Sequence, residues 1–102
     1  MKINKHNQNE REFSIKYGID NSININIFNN ETLMELVGSY DNNLKTLEKN
    51  SNSKIYFRGN SITIKGEKNS NEKVKDAIEY LINRFRSDKK IDKNDIIASL
   101  NQ

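Results

Sequence analysis

Isoleucine alternates with polar residues at positions 23, 25 and 27, and this strict period of two constrains the fold more than any other feature. A strand with that pattern has one apolar and one polar face, so it needs neighbours that bury the apolar side. Residues 54–58 and 61–65 alternate in the same way, and the Gly-Asn pair between them favours a tight hairpin turn. The hairpin side chains expected on the buried face are Ile55, Phe57, Ile62 and Ile64.

Helical periodicity appears in the segment that follows the hairpin. The apolar residues from Val74 to Phe85 are spaced by three and four positions, which predicts a helix of roughly four turns over residues 70–86. Asn69 and Glu72 have the spacing of a capping box at the start of this helix. Its single apolar stripe is expected to cover the sheet.

Two shorter helices are predicted between the first strand and the hairpin. The first covers residues 31–37, with Asn30 as its N-cap and Gly38 as its stop signal. The second covers residues 42–50, with Asp41 as its N-cap. The whole pattern indicates an α+β fold with a three-stranded antiparallel sheet covered on one face by helices.

Length and composition set the limits of this domain. A chain of 102 residues has room for one domain, and we expect a flexible N-terminal tail at 1–20 followed by a folded domain at 21–102. Residues 12–17 alternate and resemble a short strand, but Gly18 follows them directly. No apolar run is long enough to span a membrane, and the absence of cysteine favours the cytoplasm.

Catalytic and metal-binding chemistry is not expected in this chain. His6 is the single histidine and lies in the predicted tail. Asp88, Asp92 and Asp95 do not follow the calcium-loop pattern and are better explained as charges at helix ends. The four glycines are scattered, and no phosphate-binding P-loop sequence is present.

The order of predicted elements resembles a type I KH domain, which runs βααββα. Three segments resemble, more specifically, the KH-like N-terminal domain of the PhoH family of P-loop ATPases. Residues 37–48, VGSYDNNLKTLE, are similar to the segment around its interhelical turn, and residues 54–66 are similar to its hairpin, with an Arg-Gly-Asn turn and a closing Gly. Residues 91–96 resemble the short helix that precedes its ATPase domain. The resemblance covers residues 22–100.

This resemblance implies a function and a set of partners. The chain would be an RNA-binding accessory domain that presents single-stranded RNA to a PhoH-type ATPase domain, in cis or as a partner. ATP and Mg²⁺ would belong to that absent ATPase domain, so no cofactor is expected here. The net charge of +3 is compatible with RNA binding but does not require it.

The first candidate site is the loop that KH domains use to approach phosphates, which would be Gly38-Ser39-Tyr40-Asp41 here. The second glycine of the Gly-x-x-Gly pattern is replaced by Asp41, whose carboxylate repels phosphate. Alternatively, Gly38 and Asp41 serve only as helix stop and N-cap. Tyr40 either stacks on a base or packs against the hairpin. The remaining candidates near this loop are Ser39, Asn42, Asn43, Lys45 and Lys49.

The outer face of the sheet is the second candidate site. Lys54, Tyr56 and Arg58 are expected there together with Lys65, beside Asn24 and Asn26. This combination of positive charge and one aromatic ring suits nucleic acid, although RNA platforms usually offer two or three aromatic rings. The alternative is an ordinary hydrated sheet face.

A protein-interaction or oligomerisation domain without nucleic-acid binding is the alternative function. A last short helix is predicted from Asp92, where Ile91 and Ile96 have hydrophobic-staple spacing. Ile96, Ile97 and Leu100 would give this helix an apolar side that needs a partner. The acidic residue in the loop and the modest net charge favour the same interpretation, which includes a homo-oligomer.

Overall fold

Four antiparallel strands form one sheet, and four helices accompany it in a computed structural model that describes residues 12–102. The strands, in chain order, are β1 Phe13–Tyr17, β2 Ile23–Ile27, β3 Ser53–Arg58 and β4 Ser61–Gly66. The helices are α1 Asn30–Val37, α2 Asn42–Lys49, α3 Lys68–Asp88 and α4 Lys93–Ser99. The spatial order of the strands is β1-β2-β4-β3. The α+β class predicted from the sequence is therefore confirmed.

The prediction of three strands is wrong, because β1 adds a fourth at one edge of the sheet. This strand pairs with β2 along its whole length, with Phe13 opposite Ile27 and Tyr17 opposite Ile23. It lies within the segment that the sequence assigned to a flexible tail. The physical reason is that its apolar side chains, Phe13 and Ile15, extend the apolar face of β2 and pack against the core. Residues 1–11 of the predicted tail, including His6, lie outside the described residues.

The core lies between the sheet and the helices. The three isoleucines of β2 are at most 1% exposed, and Ile62 and Ile64 of β4 are fully buried opposite them. Ile55 and Phe57 of β3 pack against the same cluster, as predicted. The stripe of α3 closes the core with Val74, Ala77, Ile78, Leu81, Ile82 and Phe85, all of them buried. The apolar faces that result from period two in the strands and period 3.6 in the helix thus pack against each other in one core.

The N-terminal caps of the first two helices differ from the predicted ones. Asn29, not Asn30, caps α1, since its side chain accepts a hydrogen bond from the Thr32 amide at 3.0 Å. Asp41 precedes α2, but its side chain accepts no capping bond, because its own backbone is left-handed with φ 60°. An N-cap side chain reaches the helix amides from extended backbone, and a left-handed residue aims it elsewhere.

The ends of the two C-terminal helices give one correction and one confirmation. α3 begins at Lys68, so Asn69 and Glu72 lie inside the helix and no capping box forms there. In α4 the Asp92 side chain accepts from the Asp95 amide at 3.0 Å, and the Asp95 side chain accepts from the Asp92 amide at 2.9 Å. This reciprocal capping box confirms Asp92 as the N-cap.

Two further findings bear on partners. Ile96 and Leu100 are buried in the core, whereas Ile97 is 43% exposed, so most of the apolar side expected on α4 is used within the fold. Within residues 12–102, none of the helices combines the length and the apolar character needed to cross a membrane.

Candidate nucleic-acid interface

The loop between α1 and α2 has an unusual backbone. Gly38 has φ 80°, and Tyr40 and Asp41 follow at φ 55° and 60°. A Cβ on Gly38 would lie 2.7 Å from Nδ2 of Asn43, so this position requires glycine on steric as well as conformational grounds. Left-handed backbone costs about 1–2 kcal/mol for a residue with a side chain, so the loop stores strain at Tyr40 and Asp41.

The side chains of this loop divide into supporting and exposed groups. Asn43 is half-buried and donates from Nδ2 to the Glu35 carbonyl at 3.2 Å, which ties α2 to the end of α1. Ser39, Asn42 and Tyr40 are exposed. Tyr40 is 92% exposed, so it does not pack against the hairpin and its ring is open to solvent.

The surface of α2 is electrically mixed. Lys45 and Lys49 are exposed, and neither forms an ion pair with any residue in the described part of the chain. Asp41 lies one residue before the helix. The carboxylate of Glu48 lies against β3, where its Oε2 accepts a hydrogen bond from the Ile55 amide at 2.8 Å. Residues 41–49 thus carry two carboxylates as well as the two lysines.

The outer face of the sheet carries positive charge without negative charge. Strand pairing places Lys54 opposite Lys65, and Arg58 opposite Ser61. β1 adds Lys16, which lies opposite Asn24. The full outer face consists of Ser14, Lys16, Asn24, Asn26, Lys54, Tyr56, Arg58, Ser61, Thr63 and Lys65. Four of these ten side chains are basic and none is acidic.

An aromatic ring and a fixed polar centre complete this outer face. Tyr56 is 54% exposed, and Nζ of Lys65 lies 5.7 Å from the centre of its ring, within the range of a cation–π contact. Asn24 donates from Nδ2 to the hydroxyls of Ser61 at 2.6 Å and Thr63 at 2.9 Å. Both Nδ2 protons of Asn24 are thus used within the sheet. The side-chain oxygen Oδ1 is the atom of Asn24 that can accept a hydrogen bond from a ligand.

The candidate residues named from the sequence thus form two groups. Lys54, Tyr56 and Arg58 share one strand and one face, with Lys65, Asn24 and Asn26 nearby on that face, whereas the others lie on the loop and α2, where Asp41 and Glu48 add negative charge. Sequence reasoning did not include Lys16, because its strand was assigned to the tail. The alternation over residues 12–17 is the signal that could have found it, since it places Lys16 on the polar side.

Comparison of the chain with protein-family models, curated proteins and solved structures finds no match. In residues 12–102 there is no cluster of three or more potential metal ligands.

Proposed function

We propose that this domain binds single-stranded RNA and that the outer face of the sheet is its main contact surface. The observation that carries the proposal is that the outer face has basic side chains and no acidic ones. The chain as a whole has 17 basic and 14 acidic residues, yet the outer face holds four basic side chains and no acidic one. Phosphates are attracted to such a surface, and none of its ten side chains carries a negative charge that would repel them.

The chemistry of this face suits a single strand rather than a duplex. Tyr56 offers an exposed ring on which one base can stack, and stacking contributes about 1–3 kcal/mol per base. Lys16, Lys54, Arg58 and Lys65 supply the phosphate contacts. With about four such contacts, the logarithm of the binding constant should fall against the logarithm of salt concentration with a slope of about −3.

A relationship to KH domains is part of the same proposal, and the arrangement of elements supports it. Two helices connect β2 to β3, a long helix follows β4, and β4 lies between β2 and β3 in the sheet. β1 and α4 are additions to that βααββα unit. By this relationship the domain would present RNA to a PhoH-like P-loop ATPase, in cis or as a separate partner, and ATP and Mg²⁺ would bind there.

The Gly38 loop is assigned a secondary role. The carboxylate of Asp41 occupies the position of the second glycine and opposes a phosphate, so the loop is poorly suited to clamp the RNA backbone. Tyr40, at 92% exposure, is instead suited to stack on a base.

Two charge-matched variants test where RNA binds. Lys54→Glu/Arg58→Glu changes the outer face, and Lys45→Glu/Lys49→Glu changes α2 by the same net charge at positions that are also exposed. We expect fluorescence anisotropy with labelled oligouridine at low salt to show that the first variant loses binding and the second retains most of it. Loss only in the second would move the site to α2, and a flat titration of the unchanged protein would remove the proposal.

Protein–protein association is the second candidate function. The apolar side of α4 supports it weakly, because Ile96 and Leu100 are already buried. The open edge of β1 supports it more strongly, since a strand at the edge of a sheet is a template for pairing with another chain.

A further inference from the structure

The two edges of the sheet differ in how they are covered. At the β3 edge, the outward-directed amide of Ile55 donates to the Glu48 carboxylate, and the Ser53 amide donates to the Ser51 hydroxyl at 3.4 Å. α2 and the loop after it therefore cover that edge from Ser53 to Ile55. At the β1 edge, no strand pairs with the outer side of β1 anywhere in residues 12–102. Natural sheets rarely leave a regular edge strand open, because its unpaired backbone groups attract other strands.

The hydrogen bonds of β1 show which backbone groups point outward. The Phe28 amide donates to the Glu12 carbonyl at 2.8 Å, and the Gly18 amide donates to the Ser22 carbonyl at 2.9 Å. Even-numbered residues of β1 therefore direct their backbone groups toward β2. In an antiparallel ladder this direction alternates, so Phe13, Ile15 and Tyr17 direct their N–H and C=O groups toward the open edge.

We propose that two copies of this chain associate by antiparallel pairing of their β1 strands around a two-fold axis at Ile15. In this register Ile15 pairs with itself, and Phe13 pairs with Tyr17 of the other copy. All three outward residues of each strand are then satisfied, which gives six backbone hydrogen bonds. A shift of the register by two residues in either direction would satisfy only two residues per strand.

The side chains of β1 favour the same register, and they favour a second copy of this chain as the partner at the β1 edge. On the helix side, Phe13 meets Tyr17 and Ile15 meets Ile15, which are pairs of the kind that stabilise adjacent strands. On the outer face, Lys16 lies opposite Ser14, whereas one of the shifted registers would place Lys16 opposite Lys16. The strand is therefore complementary to a second copy of itself in both shape and charge.

Such a dimer would have one continuous sheet of eight strands. The two-fold axis is perpendicular to the sheet, so both outer faces lie on the same side, with eight basic side chains between them. A contribution of the dimer to RNA binding rests on the proposed function, whereas the association of two chains does not depend on it. A single pair of five-residue strands buries little area, so we expect a weak dimer with a dissociation constant of about 10–100 µM.

Sedimentation velocity without RNA tests the association, up to about 1 mM protein. The unchanged protein should shift from monomer to dimer across that range. Ser14→Lys places a lysine opposite Lys16 of the other copy and should weaken the dimer about tenfold. Ser14→Lys/Lys16→Glu restores opposite charges across the axis and should recover most of the affinity. Asn94→Lys is the control for the single variant, because it adds the same charge on the exposed surface of α4, and it should leave the association unchanged.

Disulfide trapping tests the register, since the chain contains no cysteine of its own. An equimolar mixture of Ser14→Cys and Lys16→Cys chains should oxidise mainly to the mixed dimer, because these positions face each other across the axis. The proposal would be overturned if the protein stayed monomeric at every concentration or if Ser14→Lys left the dissociation constant of the dimer unchanged. Disulfide products formed without preference for the mixed dimer would overturn it as well. None of these results depends on whether the chain binds RNA.

Discussion

At the scale of single residues, the loop between α1 and α2 shows a difference between the helix cap predicted from the sequence and the observed structure. Asp41 occupies the N-cap position by sequence, but its left-handed conformation prevents its side chain from capping α2. Its carboxylate is therefore neither a cap nor a phosphate ligand. The backbone at position 38 requires glycine. At position 41 the left-handed backbone accepts Asp41, but at a conformational cost.

We expect Asp41→Gly to raise the free energy of unfolding by about 1 kcal/mol, because glycine adopts a positive φ without the steric cost that a side chain carries. No capping hydrogen bond is lost in the exchange. Urea denaturation at equilibrium measures the change. The same substitution should also strengthen RNA binding at low salt, since it removes a negative charge from the loop. A less stable variant would contradict this account of the residue.

Tyr56 is the residue on which base stacking depends in the proposed site. We expect Tyr56→Leu to weaken oligouridine binding about tenfold, in keeping with about 1–3 kcal/mol for one stacked base, while the fold persists because the ring is half-exposed. Tyr40→Leu is the comparison, because it removes the second candidate for stacking, on the loop, and should weaken binding less. A larger loss in the Tyr40 variant would place the main contact at the loop.

At the scale of elements, the helices are held by packing more than by their caps. α2 and α3 both begin without a side-chain cap, yet each packs an apolar face into the core. Asn29 caps α1 with one hydrogen bond, and α4, which has only seven residues, has a complete capping box. A helix this short forms few internal hydrogen bonds, so its first turn depends on the cap.

We expect Asp92→Ala to lower the free energy of unfolding by about 1 kcal/mol, because the Asp95 amide loses its side-chain acceptor and keeps only the Asp92 carbonyl at 3.1 Å. Hydrogen exchange should show the loss first in α4, ahead of the rest of the fold. Asp88→Ala is the control: it removes an exposed ion pair with Arg84, and such pairs contribute little. Equal destabilisation by both variants would indicate a general charge effect rather than a cap.

At the scale of the whole molecule, one buried amide joins segments that are far apart in the chain. Asn71 of α3 is fully buried and donates from Nδ2 to the Asn21 carbonyl at 2.9 Å and the Gly66 carbonyl at 3.0 Å. Its Oδ1 accepts from the Ser53 hydroxyl at 2.7 Å. The turn after β1, the end of β4 and the start of β3 therefore meet at a single side chain.

We expect Asn71→Leu to lower the free energy of unfolding by about 3 kcal/mol, because it leaves buried polar groups without partners at a cost of about 1–3 kcal/mol each. Chemical denaturation followed by circular dichroism measures the loss. Asn69→Leu is the matched control on the exposed surface of the same helix turn and should change stability by less than about 0.5 kcal/mol. A small effect in the Asn71 variant would show that water replaces the lost bonds.

The candidate site shows how far local pattern reaches. Alternation in β3 predicts that Lys54, Tyr56 and Arg58 share one face, and the strand pairing agrees. The same reasoning could not place Lys16 on the same face of the sheet, because that depends on which strand lies next to β2. Nor could it show that the Glu48 carboxylate binds the Ile55 amide of β3, since this contact joins separate elements.

Local sequence pattern was enough to specify the strands from residue 23 onward, the long helix and the faces they bury. These properties follow from hydrophobic period, which is a local quantity. Long-range contacts were needed to establish that residues 13–17 form a fourth strand, that Asp41 does not cap its helix and that four basic side chains share one face. Each of these outcomes depends on neighbours distant in sequence, whose packing outweighs the small preferences of local turns and caps.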